Sequence, residues 1–376
     1  MLITLKSDDG SILTYRDNKR YLWLLSLVEP VVPTLTVIAF FWFDKNQLIL
    51  LWPLVHAFVL IPILDLIFGE DTSNPPPEVL DHMEKDPYYR WLLHASIPLF
   101  WAGFLAAAWL VGTQELSLWA VLALAVGTGF ASGTGITVGH ELGHKQNRVD
   151  RFGAMLANAV SGYAHFCIEH NRGHHTWVAT PEDPASAQYN ESVYAFAVRE
   201  IPGTLVRGLV HERERLAKKG LPFWHWRNEV LQGWAIKLAV DGSLIFAFGW
   251  IMVPFLIIHN FIGWYALTEA NYLEHYGLKR GKRDNGRYLP CEPHHSWNTN
   301  HVVSNLMLFH LQRHSDHHAN PLRPYQVLRN FDELPRLPSG YAGCFVLAAI
   351  PPIWFAVMNP KVLAWAEGDM NKINTG

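Results

Sequence analysis

Leu116–Val138, LSLWAVLALAVGTGFASGTGITV, runs through Gly139 directly into His140-Glu141-Leu142-Gly143-His144-Lys145. The first part carries no charged side chain and has the length of about 20 residues that a helix needs to cross a bilayer. The second part sets two histidines four apart, on one face of a helix. A membrane helix that ends in a pair of candidate metal ligands therefore defines the class: all-α, integral membrane, with chemistry at the helix ends.

Working outward, five further apolar stretches have spanning length: Tyr21–Phe43, Leu48–Phe68, Trp91–Val111, Glu229–Phe248 and Gly249–Ala270. The last two form one apolar run, divided near Gly249. Six spans place both termini on one side of a single membrane domain covering residues 1–376. Gly343–Met358 contains Pro351 and Pro352 and is too short to span, so it is expected at the interface or packed on the extramembrane part. The composition agrees: of 376 residues, 50% are hydrophobic and only 17% charged, against roughly 25% charged in soluble domains. A net charge of -3 offers no footprint for nucleic acid. Lys6, Arg16, Lys19 and Arg20 with their neighbouring aspartates make the start unlike a cleavable signal.

Orientation follows from the loops. Eleven lysines and arginines lie between Gly139 and Asn228, and none lies in Gly112–Glu115, so the long loop is expected in the cytoplasm with both termini and every histidine cluster. Gly127, Gly129, Gly133, Gly135 and Gly139 crowd the fourth span, as close helix packing requires.

Three more elements carry histidines: Glu169-His170-Asn171-Arg172-Gly173-His174-His175, Asn271-Tyr272-Leu273-Glu274-His275-Tyr276-Gly277 and His310-Leu311-Gln312-Arg313-His314-Ser315-Asp316-His317-His318. His170 with His174, and His314 with His317 and His318, are each expected to converge on one point from a helix. Together with His140, His144, His175 and His275 they make nine candidate ligands. One ion takes at most about six, so two metals are implied, although imidazole suits iron, zinc, copper and nickel alike. Glu141, Glu169, Glu274 and Asp316 stand beside ligands as acceptors for ring N–H groups or proton relays, with His310 as a supporting ring. His165, His294, His295 and His301 are open between ligand and support, and His56, His82, His94, His211, His225 and His259 read as structural.

His140-Glu141-x-x-His144 also fits a zinc protease, in which the glutamate is general base. That reading leaves six histidines without purpose. A metal transporter would place its sites near the membrane midplane rather than beyond the helix ends.

The four histidine elements, with Asn298-Thr299-Asn300-His301 and Ser339-Gly340-Tyr341, resemble the integral-membrane alkane 1-monooxygenases of the histidine-box desaturase and hydroxylase family, from about Tyr21 to Asn371. The element around His275 separates alkane hydroxylases from most desaturases. The resemblance implies a non-haem di-iron enzyme of the bacterial inner membrane. It would insert one oxygen atom from O2 into the terminal methyl of a medium-chain n-alkane, giving a 1-alkanol and water; a fatty-acyl desaturase or hydroxylase is the alternative. It also implies electrons from rubredoxin, reduced by an NADH-dependent reductase. Three cysteines, Cys167, Cys291 and Cys344, cannot supply a rubredoxin's four, and no glycine fingerprint for flavin or NADH is present, so the donor is expected to be a separate or truncated rubredoxin. Arg148, Arg151, Lys279, Arg280, Lys282 and Arg283 are candidates for docking it. Trp52, Phe58, Trp101, Phe104, Trp109 and Trp119 are candidates for lining an alkane channel open to the bilayer.

Overall fold

A capping side chain opens most of the long helices, and the apolar runs then carry them through. The structure, a computed structural model, describes residues 2–6 and 12–376. Its long helices are α1 (Leu22–Trp42), α2 (Gln47–Phe68), α3 (Pro87–Thr113), α4 (Leu118–Gly143), α5 (Arg148–Ala159), α6 (Val193–Ala217), α7 (Glu229–Phe248) and α8 (Met252–His275). The short α9 (His314–Ala319) and the pair α10 (Tyr341–Ala348) and α11 (Pro351–Trp365) follow. Asp86 caps α3 by accepting from Tyr88 N, with Pro87 in the first turn, and Asn228 caps α7 by accepting from Leu231 N.

Helices α1, α2, α3, α4 and α7 are long and apolar enough to cross a membrane, close to the stretches expected from sequence. The break after α7 falls at Gly249, whose φ of 79° is open to glycine and strained for other residues. Helix α8 is more polar than those five, because His259, Asn260, Glu269, Asn271 and Glu274 interrupt its apolar run. It lies parallel to α4, and the glycines of α4 are the reason it can. A Cβ on Gly129 would stand 2.7 Å from the His259 carbonyl, and one on Gly133 would stand 2.6 Å from Ala266 Cβ. Both helices therefore deliver their C-terminal turns to the same end of the bundle. The stretch from Asn271, expected to follow the sixth span, is instead the last turn of α8, which continues unbroken to His275 before Gly277 turns the chain with φ 71°.

Lys237 and Asp241 lie within α7, where charge is costly unless partnered. Lys237 Nζ reaches Asp241 Oδ1 at 3.0 Å and donates to the Val160 carbonyl at 2.8 Å. Helices α10 and α11 bend by 118° at the break before Pro351 and pack by Tyr341, Phe345, Trp354 and Met358 on Tyr272 of α8 and on Tyr276 just beyond its end. Gly343–Met358, expected to be too short to span, thus falls in a bent pair that together is long and apolar enough to count as a sixth span. A two-stranded antiparallel hairpin, β1 (Leu2–Lys6) with β2 (Ile12–Arg16), was not expected from sequence. Its Ile3 is anchored on Val79, Met83 and Val327.

Candidate metal centre

Nine imidazoles meet where α4 and α8 end. They form two groups, each with ring nitrogens within 4.8 Å of one another: His140, His144, His170, His175 and His317 in one, and His174, His275, His314 and His318 in the other. These are the nine expected from sequence, but their division is not the expected one. His170 and His174 part company because residues His170–His174 form a π turn. With hydrogen-bonded partners five residues apart, His175 rather than His174 comes into line with His170, and their Nε2 atoms lie 3.0 Å apart. His174 turns to the second group, its Nε2 3.3 Å from His318 Nε2. In α9 the four-residue spacing of His314 and His318 keeps them together, Nε2 to Nε2 2.8 Å. His317 lies on another face and joins the first group, 3.2 Å from His175 Nε2.

The donor set suits a cation. Nε2 of His140, His144 and His275 is buried without a hydrogen-bond partner, and the remaining Nε2 atoms face one another at hydrogen-bond distance. Burial holds His144, His170, His175, His314, His317 and His318 well below the ordinary imidazole value of 6.5, reinforced by neighbouring histidines. The rings are therefore neutral, and neutral imidazole is the form that binds metal. A site of this kind could hold two metal ions.

Several rings are oriented from behind. His174 Nδ1 meets Asp183 Oδ2 at 2.8 Å. Asp183 is fully buried and also accepts from Ser186 Oγ at 2.7 Å and Arg207 Nη2 at 2.6 Å. Burial opposes its charge, but His174, Arg207 and Ser186 prevail and hold its carboxyl well below the usual range. His275 Nδ1 lies 3.4 Å from the His295 carbonyl. Glu274 Oε2 lies 3.1 Å from His314 Nε2, while its Oε1 accepts from the Tyr341 hydroxyl at 2.7 Å.

The other expected supports are placed differently. Glu141 pairs with Lys145 at 2.8 Å and Glu169 with Arg207 Nε at 2.6 Å. Asp316 is held by Arg323 Nη1 at 2.6 Å and Arg329 Nη2 at 3.0 Å. None of the three reaches an imidazole, because nearby cations claim the carboxylates first. His310 belongs to neither group: its Nδ1 faces the Tyr325 carbonyl at 3.1 Å and its ring packs on Trp23. His165, pushed down to about 3 by burial, packs between Tyr163 and Trp264. His301 bonds Thr299, and the His295 ring accepts from Glu292 N. Asp183 escaped the sequence reading because it sits in a loop with no helical spacing to any histidine, and its only signal is a buried partner that sequence does not display.

An apolar cavity runs from the histidines down between α4 and α8. Its wall includes Phe130, Gly133, Thr137, Ala270, Leu311 and Phe345, and it reaches His140, His170, His314 and Glu274. None of the six aromatic residues proposed for a channel lines it. Trp101 donates to the Leu156 carbonyl, Phe104 packs on His259, Trp52 lines a separate outer groove, and Trp109 and Trp119 point outward. Phe58 comes nearest, packed behind Phe130. The wall is built by other aromatic and aliphatic residues, Phe130, Phe166 and Phe345 among them, together with small ones such as Gly133 and Ala270. Of the six basic residues proposed for docking, Arg280 is buried and donates to the Thr176 carbonyl, and Arg151 pairs with Glu229. Arg148 and Arg151 instead share a groove with Arg215, Lys219 and Arg227.

The chain matches the family model described as fatty acid desaturase over residues 116–348. It is 48% identical to the alkane 1-monooxygenase of Ectopseudomonas oleovorans over 96% of this chain and 89% of that protein. The alkane 1-monooxygenase of Pseudomonas putida is 47% identical, and alkane 1-monooxygenase 1 of Alcanivorax borkumensis 46%, both with the same coverage.

Proposed function

We propose how this chain, which belongs to the alkane 1-monooxygenases within the fatty acid desaturase family, uses its nine histidines. The enzyme is an oxidoreductase that hydroxylates alkanes with O2. Its substrate is a medium-chain n-alkane attacked at the terminal methyl, and the product is the 1-alkanol. The observation that carries this reading is the cavity: a narrow apolar tube that ends at His140, His170 and His314 admits one end of a chain without functional groups.

The residues divide the work. His140, His144, His170, His175 and His317 would hold one iron, and His174, His275, His314 and His318 would hold the other. Two irons bound there supply activation of O2 with two electrons, because a methyl C–H bond is beyond acid–base chemistry. Asp183 fixes the tautomer of His174 so that Nε2 keeps its lone pair for the metal. The His295 carbonyl does the same for His275. Phe130, Ile136, Ala270 and Phe345 hold the alkyl chain by burial at about 25 cal/mol per Å² of apolar surface removed from water. The same wall keeps water from the reacting methyl. Glu274, bonded to Tyr341 and facing the cavity, is placed to hold a proton beside the second group.

The histidine end faces the cytoplasm of a bacterial inner membrane, and rubredoxin, reduced by an NADH-dependent reductase, delivers the electrons there. Neither flavin nor NADH binds this chain. Incubation of the purified chain with octane, labelled O2, rubredoxin, reductase and NADH should give 1-octanol carrying one labelled oxygen, from protein containing two irons. Protein with one zinc and no iron, or unlabelled product, overturns the proposal.

A further inference from the structure

The deep end of the cavity holds an acid–base pair that takes no part in the metal centre. Along α4 the lining extends from His140 back to Phe130, which is about 15 Å at 1.5 Å per residue. There the tube is closed by Phe345, 5.8 Å from Phe130 between ring centroids, with Phe58 behind at 4.6 Å. Ala57 packs in the same cluster. Its neighbour His56 lies with Nδ1 3.3 Å from Glu29 Oε2, and Glu29 itself lines the cavity. The pair therefore stands remote from His140, His170 and His314.

Both side chains are buried, Glu29 at 7% and His56 at 5% exposure. Their contact is off the line of a hydrogen bond and leaves His56 Nδ1 unpartnered. Of the other buried charges of the spans, Lys237 holds Asp241 and the Val160 carbonyl, one oxygen of Asp65 accepts from Ser304 N at 3.0 Å, and Glu269, also buried, does not line the cavity. Glu29 makes no such bond among the described residues, and it lines the tube. Keeping an ionisable group inside a membrane protein is costly and marks a functional position. A plain hydrocarbon has no donor to offer it. A chain with a hydroxyl at one end does.

We propose that Glu29, backed by His56, is a polar subsite that accepts the hydroxyl of a medium-chain primary alcohol and so presents the alcohol's far methyl to the histidines, giving an α,ω-diol. The enzyme's own product, re-entering reversed, is such a substrate. The balance is that of the first reaction: the alcohol, O2, two electrons and two protons give the diol and water. One C–H bond breaks and one C–O bond forms, one oxygen atom enters the methyl group, the other leaves as water, and the same donor supplies the electrons. The proposal rests on the reading that the cavity takes the alkane.

The test compares wild type on decane, 1-nonanol and 1-methoxyoctane, the last two equal in length but only the alcohol able to donate a hydrogen bond. Hydroxylation at the far methyl is read as kcat/KM by product analysis, and 1-nonanol should exceed 1-methoxyoctane by about tenfold. In Glu29→Leu the ratio of nonane-1,9-diol formed from 1-nonanol to 1-decanol formed from decane should fall by about tenfold, and Glu29→Gln, which keeps an acceptor, should fall less. Decane turnover with equal rates on the two oxygen-bearing substrates overturns the proposal alone. A wild type that fails on decane overturns the alkane reading and the proposal with it.

Discussion

The two histidine groups are built from the same side chain and yet differ in how they are enclosed. The five-histidine group is assembled from the end of α4, the π turn and His317, and two of its members, His144 and His175, are only half-buried. The four-histidine group is buried throughout and is supported from behind by Asp183 and the His295 carbonyl, with Glu274 on the ligand side of His314. The difference teaches a division of labour. An open group with a spare ligand tolerates solvent at its rim, whereas a closed group with the fewest ligands depends on each of them and on what orients them.

Removing one ligand from each group is the strongest way to break this comparison. His318→Ala leaves three histidines in the closed group and should abolish hydroxylation, with iron falling from two per chain to one. His144→Ala leaves four in the open group and should retain both irons with weakened affinity. Equal iron loss in the two variants, measured by elemental analysis, would show that the groups are equivalent.

The next effect sharpens it at the supporting shell. Asp183→Asn should cost about 10–100-fold in metal affinity or activity, since the amide cannot stabilise the His174 tautomer as the carboxylate does. Glu141→Gln should leave metal affinity within about twofold, because Glu141 spends its carboxylate on Lys145 and touches no ring. Metal titration of both variants decides the matter, and a larger loss in Glu141→Gln would reverse the assignment.

Acid offers a third comparison, between metal-free and metal-loaded protein. His144, His170, His175, His314, His317 and His318 are held below their ordinary value of 6.5 by burial. Between the folded and ordinary values the unfolded chain binds more protons, so stability rises with pH. It is fully present above about 6.5 and is lost as pH falls below it. The thermal midpoint of the metal-free protein should therefore drop between pH 7 and pH 5.5. A flat profile would show that the rings are open to water.

The smallest effect concerns the scaffold shared by both groups. Gly133→Ala places a methyl 2.6 Å from Ala266 Cβ and should cost about 1–3 kcal/mol by forcing α4 and α8 apart. A lowered thermal midpoint together with a preference for shorter alkanes is the expected result, because Gly133 also lines the cavity.

Much of the architecture was legible because lipid leaves the backbone few choices. The spans Glu229–Phe248 and Leu48–Phe68 were visible as apolar runs of the right length, and Gly249 marked the break between two helices that composition alone joins. The N-terminal hairpin was not, since five-residue strands next to charged neighbours carry little signal. The cavity lining was not legible for a different reason: which aromatic residues face it, Phe130, Phe166 and Phe345 rather than the six candidates, depends on helix rotation and packing, and its small positions such as Gly133 and Ala270 are ones that any close helix contact also uses.

By itself the sequence determined that nine histidines gather at one end of a membrane bundle, because four-residue spacing and helix ends are local properties of the chain. Only the tertiary structure decided which ring joins which of the two groups. A metal sits between elements, not on one, so its ligands are chosen by how α4, the π turn, α8 and α9 face each other. One shift from α to π geometry at His170 separates two histidines that spacing had paired. It also brings a loop aspartate, Asp183, within 2.8 Å of the ring it orients.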